Sequence, residues 1–188
     1  MHLVSFERDL DPLRLALKHT HQFKYLYHPA PSALLKHGQW AHAERKLTWE
    51  LLEGDFEGLL EKAAVPHFIF YDPFSTKTNA DLWKAPLFSK IFKHCKDNRT
   101  ELFTYSSSTA VRSALLYSGF FVARGMASGP RSETTVAYTY RPDGVNLLSQ
   151  DWLSRWSRSD AKAPPHFTRN ERVAFEHAIL GHSQFQNS

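Results

Sequence analysis

The sequence predicts an α/β fold built on a mostly parallel sheet. Short apolar segments alternate along the chain with segments whose apolar residues recur at helical spacing. The aromatic and β-branched run at 65–71 is typical of a strand buried on both faces, as in a parallel sheet. The last two strand segments have no helix between them. We therefore expect them to pair as a hairpin, so that the last strand runs antiparallel to the rest.

Strands are predicted wherever a short apolar or β-branched run ends at a polar or turn-forming residue. The first such run ends at Glu7, and the second is stopped by Gly54 and Asp55. In chain order, the predicted strands are 2–7, 47–52, 65–71, 102–105, 120–123 and 134–138.

Helices are predicted from the spacing of apolar residues and from signals at the helix ends. Pro12 fits the first turn of the first helix, and Gly119 is a typical stop at the end of another. Thr168 and Glu171 have the spacing of a capping box. In chain order, the predicted helices are 11–17, 56–63, 80–96, 108–118, 151–156 and 168–180. Residues 19–45 show no assignable pattern.

Composition narrows the class of protein. The 188 residues, 42% of them hydrophobic, fit one domain with a short appendage. No stretch approaches the length of a membrane span, the N-terminus lacks a secretory signal, and the single cysteine excludes an internal disulfide. We therefore expect a cytoplasmic protein. The net charge of +4 suits a polyanionic partner such as nucleic acid, although many proteins without such a partner share it.

Three carboxylates follow predicted strands, where open α/β sheets bind their ligands. Glu7 can accept hydrogen bonds from ribose hydroxyls, or it is a solvated surface carboxylate. Asp55 can bind an adenine amino group or cap the helix that follows it. Asp72 follows the aromatic strand, and a carboxylate there can orient an amine and accept its proton as the amine attacks an electrophile.

Other candidate residues surround Asp72. The rings of Tyr71 and Phe74 can stack on a base or on a sulfonium cation. Lys77 can contact phosphate or be a solvated lysine, and Asn79 can serve the site or cap the next helix.

A hydroxyl-rich turn at 106–109 lies between a predicted strand and a predicted helix. Ser106 and Ser107, together with free backbone N–H groups, can bind an anion, or the turn simply caps the helix. Arg112 lies one turn further and can reach the same crevice or pair with a carboxylate. The histidines lack metal-ligand spacing, so no metal site is predicted, and Cys95 is expected to be structural.

The segment Tyr71-Asp-Pro-Phe-Ser-Thr-Lys-Thr-Asn-Ala-Asp-Leu-Trp83 resembles the signature D-[GP]-F-[AS]-P-x-K-N-P-x-[LM]-W. This signature belongs to the methyltransferase domain of the tRNA 5-methylaminomethyl-2-thiouridine biosynthesis protein family. Further stretches resemble the family in its own order: Leu3-Val-Ser-Phe-Glu7, Leu51-Leu-Glu-Gly-Asp55, Thr104-Tyr-Ser-Ser-Ser-Thr-Ala-Val-Arg112 and Gly119-Phe120. The resemblance implies a methyltransferase-like domain over 1–140 and a helical tail, 141–188, packed on it.

By this resemblance, the fold is that of a Rossmann-like class I methyltransferase and the cofactor is S-adenosyl-L-methionine. The implied reaction transfers a methyl group to the exocyclic amine of 5-aminomethyl-(2-thio)uridine at the tRNA wobble position. The implied partners are tRNA and an FAD-dependent oxidase that acts on the same uridine, with no membrane. An inactive fragment, or an RNA-binding or interaction protein with the same fold, is the alternative.

The resemblance also implies roles for particular residues. Asp72 is the implied catalytic residue. The implied cofactor-binding residues are Glu7, Asp55 and Phe74. The implied substrate-binding residues are Tyr71, Lys77, Asn79, Ser106, Ser107 and Arg112. Family members place a strand, a glycine-rich turn and a helix before the segment that resembles 2–7, where this sequence begins, so we expect the middle strand of the sheet to be missing.

Overall fold

A computed structural model describes residues 1–73, 78–127, 133–160, 162–163 and 167–186 of the chain. The chain divides into two compact units, Met1–Ala64 and Val65–Ser188. Each unit has its own sheet and is described by itself. In the part of the chain that the structure describes, no helix is long and apolar enough to cross a lipid bilayer.

The first unit has a three-stranded sheet and three short helices. Its strands are β1 (His2–Glu7), β2 (Gln39–Ala41) and β3 (Thr48–Glu53), and its helices are α1 (Asp11–Lys18), α2 (Pro29–His37) and α3 (Phe56–Leu59). The strand order is β1-β3-β2, with β1 parallel and β2 antiparallel to β3. The strands predicted at 2–7 and 47–52 and the helix predicted at 11–17 are therefore confirmed.

The sequence prediction missed α2 and β2. The helix begins at Pro29, and the Nδ1 atom of His28 accepts a hydrogen bond from the backbone N–H of Ala30. The helix ends at Gly38, which has a φ of 70° and leads directly into β2. Histidine is an uncommon N-cap, and a three-residue strand has too few positions to show a period. These features explain why no pattern could be assigned there.

In its described residues, the second unit has a four-stranded sheet and four α-helices. Its strands are β4 (Phe68–Phe70), β5 (Glu101–Thr104), β6 (Phe121–Gly125) and β7 (Thr134–Tyr138). Its helices are α4 (Ala85–Cys95), α5 (Thr109–Tyr117), α6 (Gln150–Ser157) and α7 (Arg169–Leu180). The strand order is β4-β5-β7-β6, and β7 is antiparallel to both of its neighbours. The predicted hairpin and the antiparallel last strand are confirmed.

The strands form two sheets rather than one. Within the described residues, β1 pairs only with β3, and β4 pairs only with β5. No described strand bonds to the free edges of β1 and β4.

The predicted burial of the aromatic strand on both faces is wrong. Phe68 and Phe70, which share one face of β4, are 60% and 81% exposed. Tyr71, on the other face, is only 6% exposed. The strand lies at the edge of its sheet, so it is packed on one face only.

The single helix predicted over 80–96 is two elements. A short 3-10 helix, Ala80–Trp83, precedes α4, and Lys84 between them is extended. Pro86 lies in the first turn of α4, where its missing N–H costs no helical hydrogen bond. Proline therefore starts this helix instead of continuing an earlier one.

The core of the second unit lies where helices pack on the sheet. Phe88 and Ile91 of α4, Leu115 of α5 and Leu102 of β5 are fully buried. Each such side chain contributes roughly 2 kcal/mol through burial. These residues hold β5 and the start of α5 in place.

The C-terminal tail belongs to the second unit. The ring of Phe175 in α7 lies 4.8 Å from that of Tyr117 in α5. The side-chain amide of Gln184 is buried and bonds to both backbone groups of Val122 and to the carbonyl of Leu148. The predicted capping box of Thr168 and Glu171 is present at the start of α7.

Candidate functional site

The parallel pairing of β1 and β3 places two of the predicted carboxylates at one end of the first sheet. Glu7 is in register with Glu53, and Asp55 follows two residues later. Gly54, with a φ of 141°, donates its backbone N–H to the carbonyl oxygen of Glu7 at 2.9 Å. The chain therefore turns sharply at the carboxyl ends of these strands.

Glu7 is held by its own loop. Its Oε1 atom accepts hydrogen bonds from the backbone N–H groups of Arg8 at 2.8 Å and Asp9 at 3.0 Å. Among the described residues, no group donates a hydrogen bond to Oε2. One oxygen fixes the carboxylate and the other remains able to accept hydrogen bonds from a ligand.

Asp55 caps α3, which is one of the two roles that the sequence predicted for it. Its Oδ2 atom accepts a hydrogen bond from the backbone N–H of Gly58 at 3.3 Å. The role of Asp55 in adenine binding stays a prediction. Its second carboxylate oxygen is available for such a hydrogen bond.

Asp72 lies directly after the pairing of β4 with β5 ends. Tyr71 donates its backbone N–H to the carbonyl oxygen of Phe103 at 2.8 Å, which extends the pairing by one residue. The side chain of Asp72 is exposed. A firmly held strand end thus presents a carboxylate to solvent, where a substrate can reach it.

Tyr71 does not have the environment of a stacking residue. Its hydroxyl donates a hydrogen bond to the carbonyl oxygen of Leu82, and its ring contacts those of Trp83 and Phe88 at 5.6 and 5.4 Å between centroids. Burial raises the pKa of the phenol well above its ordinary value, so the hydroxyl remains a donor. The predicted stacking role does not fit this burial; Tyr71 anchors the strand that carries Asp72.

Other predicted residues of this segment are less informative. Phe74 and Lys77 lie outside the residues that the structure describes. Asn79 precedes the 3-10 helix but makes no side-chain capping bond. Asp81 pairs with Lys84 at 2.5 Å, and the hydrogen bond from that ammonium lowers the pKa of the carboxyl.

The hydroxyl-rich turn after β5 is a capping structure. Ser108 is the N-cap of α5 and accepts a hydrogen bond from the backbone N–H of Val111 at 3.2 Å. Ser106 is buried, and its carbonyl oxygen accepts a hydrogen bond from the hydroxyl of Thr135 at 2.6 Å. Ser107 is half-buried and lines a cavity. The capping interpretation accounts for Ser108, while Ser107 and Thr109 both line the cavity.

Arg112 pairs with a carboxylate, one of the two possibilities that we considered. It is 3% exposed and donates to Glu133 Oε1 at 3.0 Å, to Thr135 Oγ1 at 3.0 Å and to the carbonyl of Thr134 at 2.9 Å. The sequence analysis missed Glu133, which lies 21 residues away. No local pattern relates the two, because the start of β7 brings them together.

In the described part of the chain, neither the cysteine nor the residues able to bind a metal form a further site. Cys95 is fully buried, and burial raises the pKa of its thiol, as suits a structural residue. Within the described ranges, no group of three or more histidine, cysteine, aspartate or glutamate side chains is placed to hold a metal ion.

A family model for S-adenosyl-L-methionine-dependent methyltransferases matches residues 18–140. The chain belongs to this family. The predicted cofactor and the predicted Rossmann-like methyltransferase fold are therefore confirmed. Glu7 lies outside the matched residues.

Individual relatives agree with the family resemblance. The bifunctional protein MnmC of tRNA 5-methylaminomethyl-2-thiouridine biosynthesis from Burkholderia vietnamiensis is 33% identical over 131 residues, which is 64% of this chain and 20% of that protein. An uncharacterised protein of Methanocaldococcus jannaschii is 32% identical over 85 residues, or 44% of this chain and 24% of that protein. The chain thus spans about a fifth to a quarter of these relatives.

A solved structure supports the fold. The crystal structure of MNMC2 from Aquifex aeolicus matches with a TM-score of 0.61 and 24% identity, covering 95% of this chain and 56% of that chain. This likeness shows the fold, and the family model and the Burkholderia relative confirm the resemblance to the MnmC-like methyltransferase domain.

The first unit has hydrogen-bond acceptors that suit the nucleoside part of S-adenosyl-L-methionine. Ribose hydroxyls and an adenine amino group are hydrogen-bond donors, and Glu7 and Asp55 offer carboxylate oxygens. The loop bonds that fix Oε1 of Glu7 leave Oε2 for such a donor. The residues present fit this part of the cofactor.

Proposed function

We propose that this protein methylates the exocyclic amine of 5-aminomethyl-(2-thio)uridine at the wobble position of tRNA. The observation that carries the proposal is the exposed carboxylate of Asp72, held at the end of β4 within the segment that resembles the family signature. The name of the Burkholderia relative refers to a methylaminomethyl-uridine product, which is consistent with an amine as the acceptor.

The chemistry requires a base beside the amine. S-adenosyl-L-methionine, when bound, supplies a methyl group made electrophilic by its sulfonium. The amine must be neutral to attack that group, and it forms the new C–N bond as the bond from sulfur to the methyl carbon breaks. Asp72 accepts a hydrogen bond from the amine, orients its lone pair and takes the proton that the amine releases. The carboxylate performs all of this without a metal ion.

Further residues support binding in this proposal. Glu7 accepts hydrogen bonds from the ribose hydroxyls of the cofactor, and Asp55 accepts one from its adenine amino group. Contacts with the substrate or the cofactor come from four further residues: Phe74, Lys77, Asn79 and Ser107. The strand ends beside the site are held in place by Tyr71, Ser106 and Arg112.

The partners follow from the reaction. The substrate is tRNA, and the mild basic excess of the chain favours a polyanion. An FAD-dependent oxidase that prepares or processes the same wobble uridine is the second proposed partner, and the cytoplasm is the proposed location.

The test is methyl transfer by an Asp72→Asn variant. Tritium-labelled S-adenosyl-L-methionine and tRNA containing 5-aminomethyl-2-thiouridine are incubated with each protein, and label in the tRNA is counted. Loss of a general base lowers such a rate by about a hundredfold or more, so Asp72→Asn is expected to lose that much. Asp81→Asn removes an exposed carboxylate from the same segment and is expected to retain activity. Equal rates for wild type and Asp72→Asn would exclude this role.

A further inference from the structure

A cavity of about 370 Å³ lies within the second unit, beside the turn that follows β5. Its lining includes Arg112, Arg124, Arg155 and Glu133. Three positive charges against one negative charge leave a net charge of +2 on these groups. The cavity therefore has the charge of an anion-binding site.

Glu133 neutralises part of this charge but not all of it. Its Oε1 atom is 3.0 Å from Arg112 Nη1, and its Oε2 atom is 3.7 Å from Arg124 Nε. Both carboxylate oxygens are thus directed at these two arginines. Among the residues that the structure describes, no carboxylate lies within ion-pairing distance of Arg155, whose Nε bonds to the carbonyl oxygen of Asp151 at 3.3 Å. The two Nη atoms of Arg155 can therefore bind an external anion.

The start of α5 adds neutral donors to the same cavity. Ser107 and Thr109 both line it, and each carries a hydroxyl group. The capping hydroxyl of Ser108 accepts the N–H of Val111, so it does not use the earlier N–H groups of the first turn. Guanidinium, hydroxyl and helix N-terminal groups together are the donors that bind phosphate in proteins.

The cavity also has an apolar wall. Trp152 and Trp156 of α6 line it, with ring planes 16° apart and centroids separated by 6.4 Å. Both side chains are largely buried. This wall suits the carbon skeleton of a ribose, and the volume admits one sugar–phosphate unit.

We infer that this cavity binds a backbone phosphate of the RNA substrate, with Arg155 as its principal contact. The inference rests on the proposed function, since it adds a phosphate contact for the RNA that carries the methylated uridine. RNA is favoured over a small phosphorylated ligand because the cavity lies beside the turn after β5, where ligands of this fold class bind, and because phosphate contacts are what position a nucleic acid on a protein.

The chain offers a matched control for Arg155. Arg158 lies at the end of the same helix, is exposed, and donates its Nε to the carbonyl oxygen of Ser154 at 3.1 Å, four residues earlier. Arg155 makes the same kind of bond to Asp151. Only Arg155 lines the cavity. Comparing the two separates the cavity from the general charge of the helix.

The experiment measures the affinity for a fluorescently labelled RNA anticodon hairpin by anisotropy over a range of salt concentrations. Arg155→Ala is expected to bind about tenfold more weakly, and the slope of log affinity against log salt is expected to fall by about 1. Arg158→Ala is expected to stay within about twofold of wild type. Thermal melting of each variant checks that it is folded.

Two results would overturn the inference. If Arg155→Ala and Arg158→Ala weaken binding equally, the charge of α6 acts diffusely and the cavity has no special role. If neither variant changes the affinity, the cavity serves another ligand or a protein partner. The proposed function fails separately, if wild type transfers no methyl group to tRNA that contains 5-aminomethyl-2-thiouridine while Arg155→Ala still binds the RNA hairpin more weakly than Arg158→Ala.

Discussion

The backbone N–H of Gly54 donates a hydrogen bond to the carbonyl oxygen of Glu7 at 2.9 Å. This bond ties the end of β3 to the end of β1 and allows Asp55 to begin α3 directly afterwards. Gly54 has a φ of 141°, a backbone conformation that residues other than glycine rarely adopt. The position of two predicted cofactor-binding carboxylates therefore depends on one glycine and one backbone bond.

Glu7→Gln is expected to weaken the binding of S-adenosyl-L-methionine by about tenfold, because a charged acceptor of hydrogen bonds becomes a neutral one. Isothermal titration calorimetry measures the affinity. The control is Glu53→Gln, since Glu53 is the register partner of Glu7 on β3 and also exposed. An equal affinity for Glu7→Gln and wild type would remove Glu7 from the cofactor site.

Gly119→Ala is expected to lower the free energy of unfolding by about 2 kcal/mol. Gly119 has a φ of 104°, and a Cβ atom there would lie 2.9 Å from Cε1 of Phe92. Urea denaturation followed by circular dichroism measures the change. Gly58→Ala is the control, because a Cβ atom at Gly58 meets nothing within 4 Å. A loss at Gly58 as large as the loss at Gly119 would contradict this account.

The stability of the protein is expected to decrease as the pH falls below about 6.5, partly through His182. Burial lowers the pKa of this histidine in the folded state. The unfolded chain therefore binds a proton that the folded chain does not, and this difference favours unfolding as the pH drops through the window between the two pKa values. Above that window, the contribution is constant.

A His182→Asn variant tests this pH dependence. Asparagine can retain the hydrogen bond that Nδ1 of His182 accepts from the backbone N–H of Gln184 at 3.1 Å, but it does not titrate. The free energy of unfolding is measured at about pH 7.5 and about pH 5.5. The variant is expected to lose less stability than wild type over this interval. His177→Asn, at an exposed position of the same tail, should follow wild type; identical pH dependence in all three proteins would assign the effect elsewhere.

Much of the fold follows from local sequence. The predicted boundaries of β7 match the structure, and the capping box at Thr168 marks the start of α7. Both features depend on neighbouring residues alone. The exposure of Phe68 and Phe70 could not be predicted in this way, because burial depends on which elements cover a strand. An edge strand and a central strand can have the same residues.

The candidate site was predictable to a different degree. The placement of Glu7, Asp55 and Asp72 at strand ends followed from strand boundaries, which short apolar runs define well. The ion pair of Arg112 with Glu133 did not, since it joins α5 to residues before β7 across 21 positions. The cavity of Arg155 combines residues from a turn, a hairpin and a tail helix, and only the three-dimensional structure brings them together.

The measurement that tests the central claim most directly is calorimetric titration of this chain with S-adenosyl-L-methionine. The account predicts one binding site with micromolar affinity, weakened in Glu7→Gln but not in Glu53→Gln. No detectable binding heat at any temperature, together with retained binding of RNA, would contradict it and favour an RNA-binding protein that shares the methyltransferase fold.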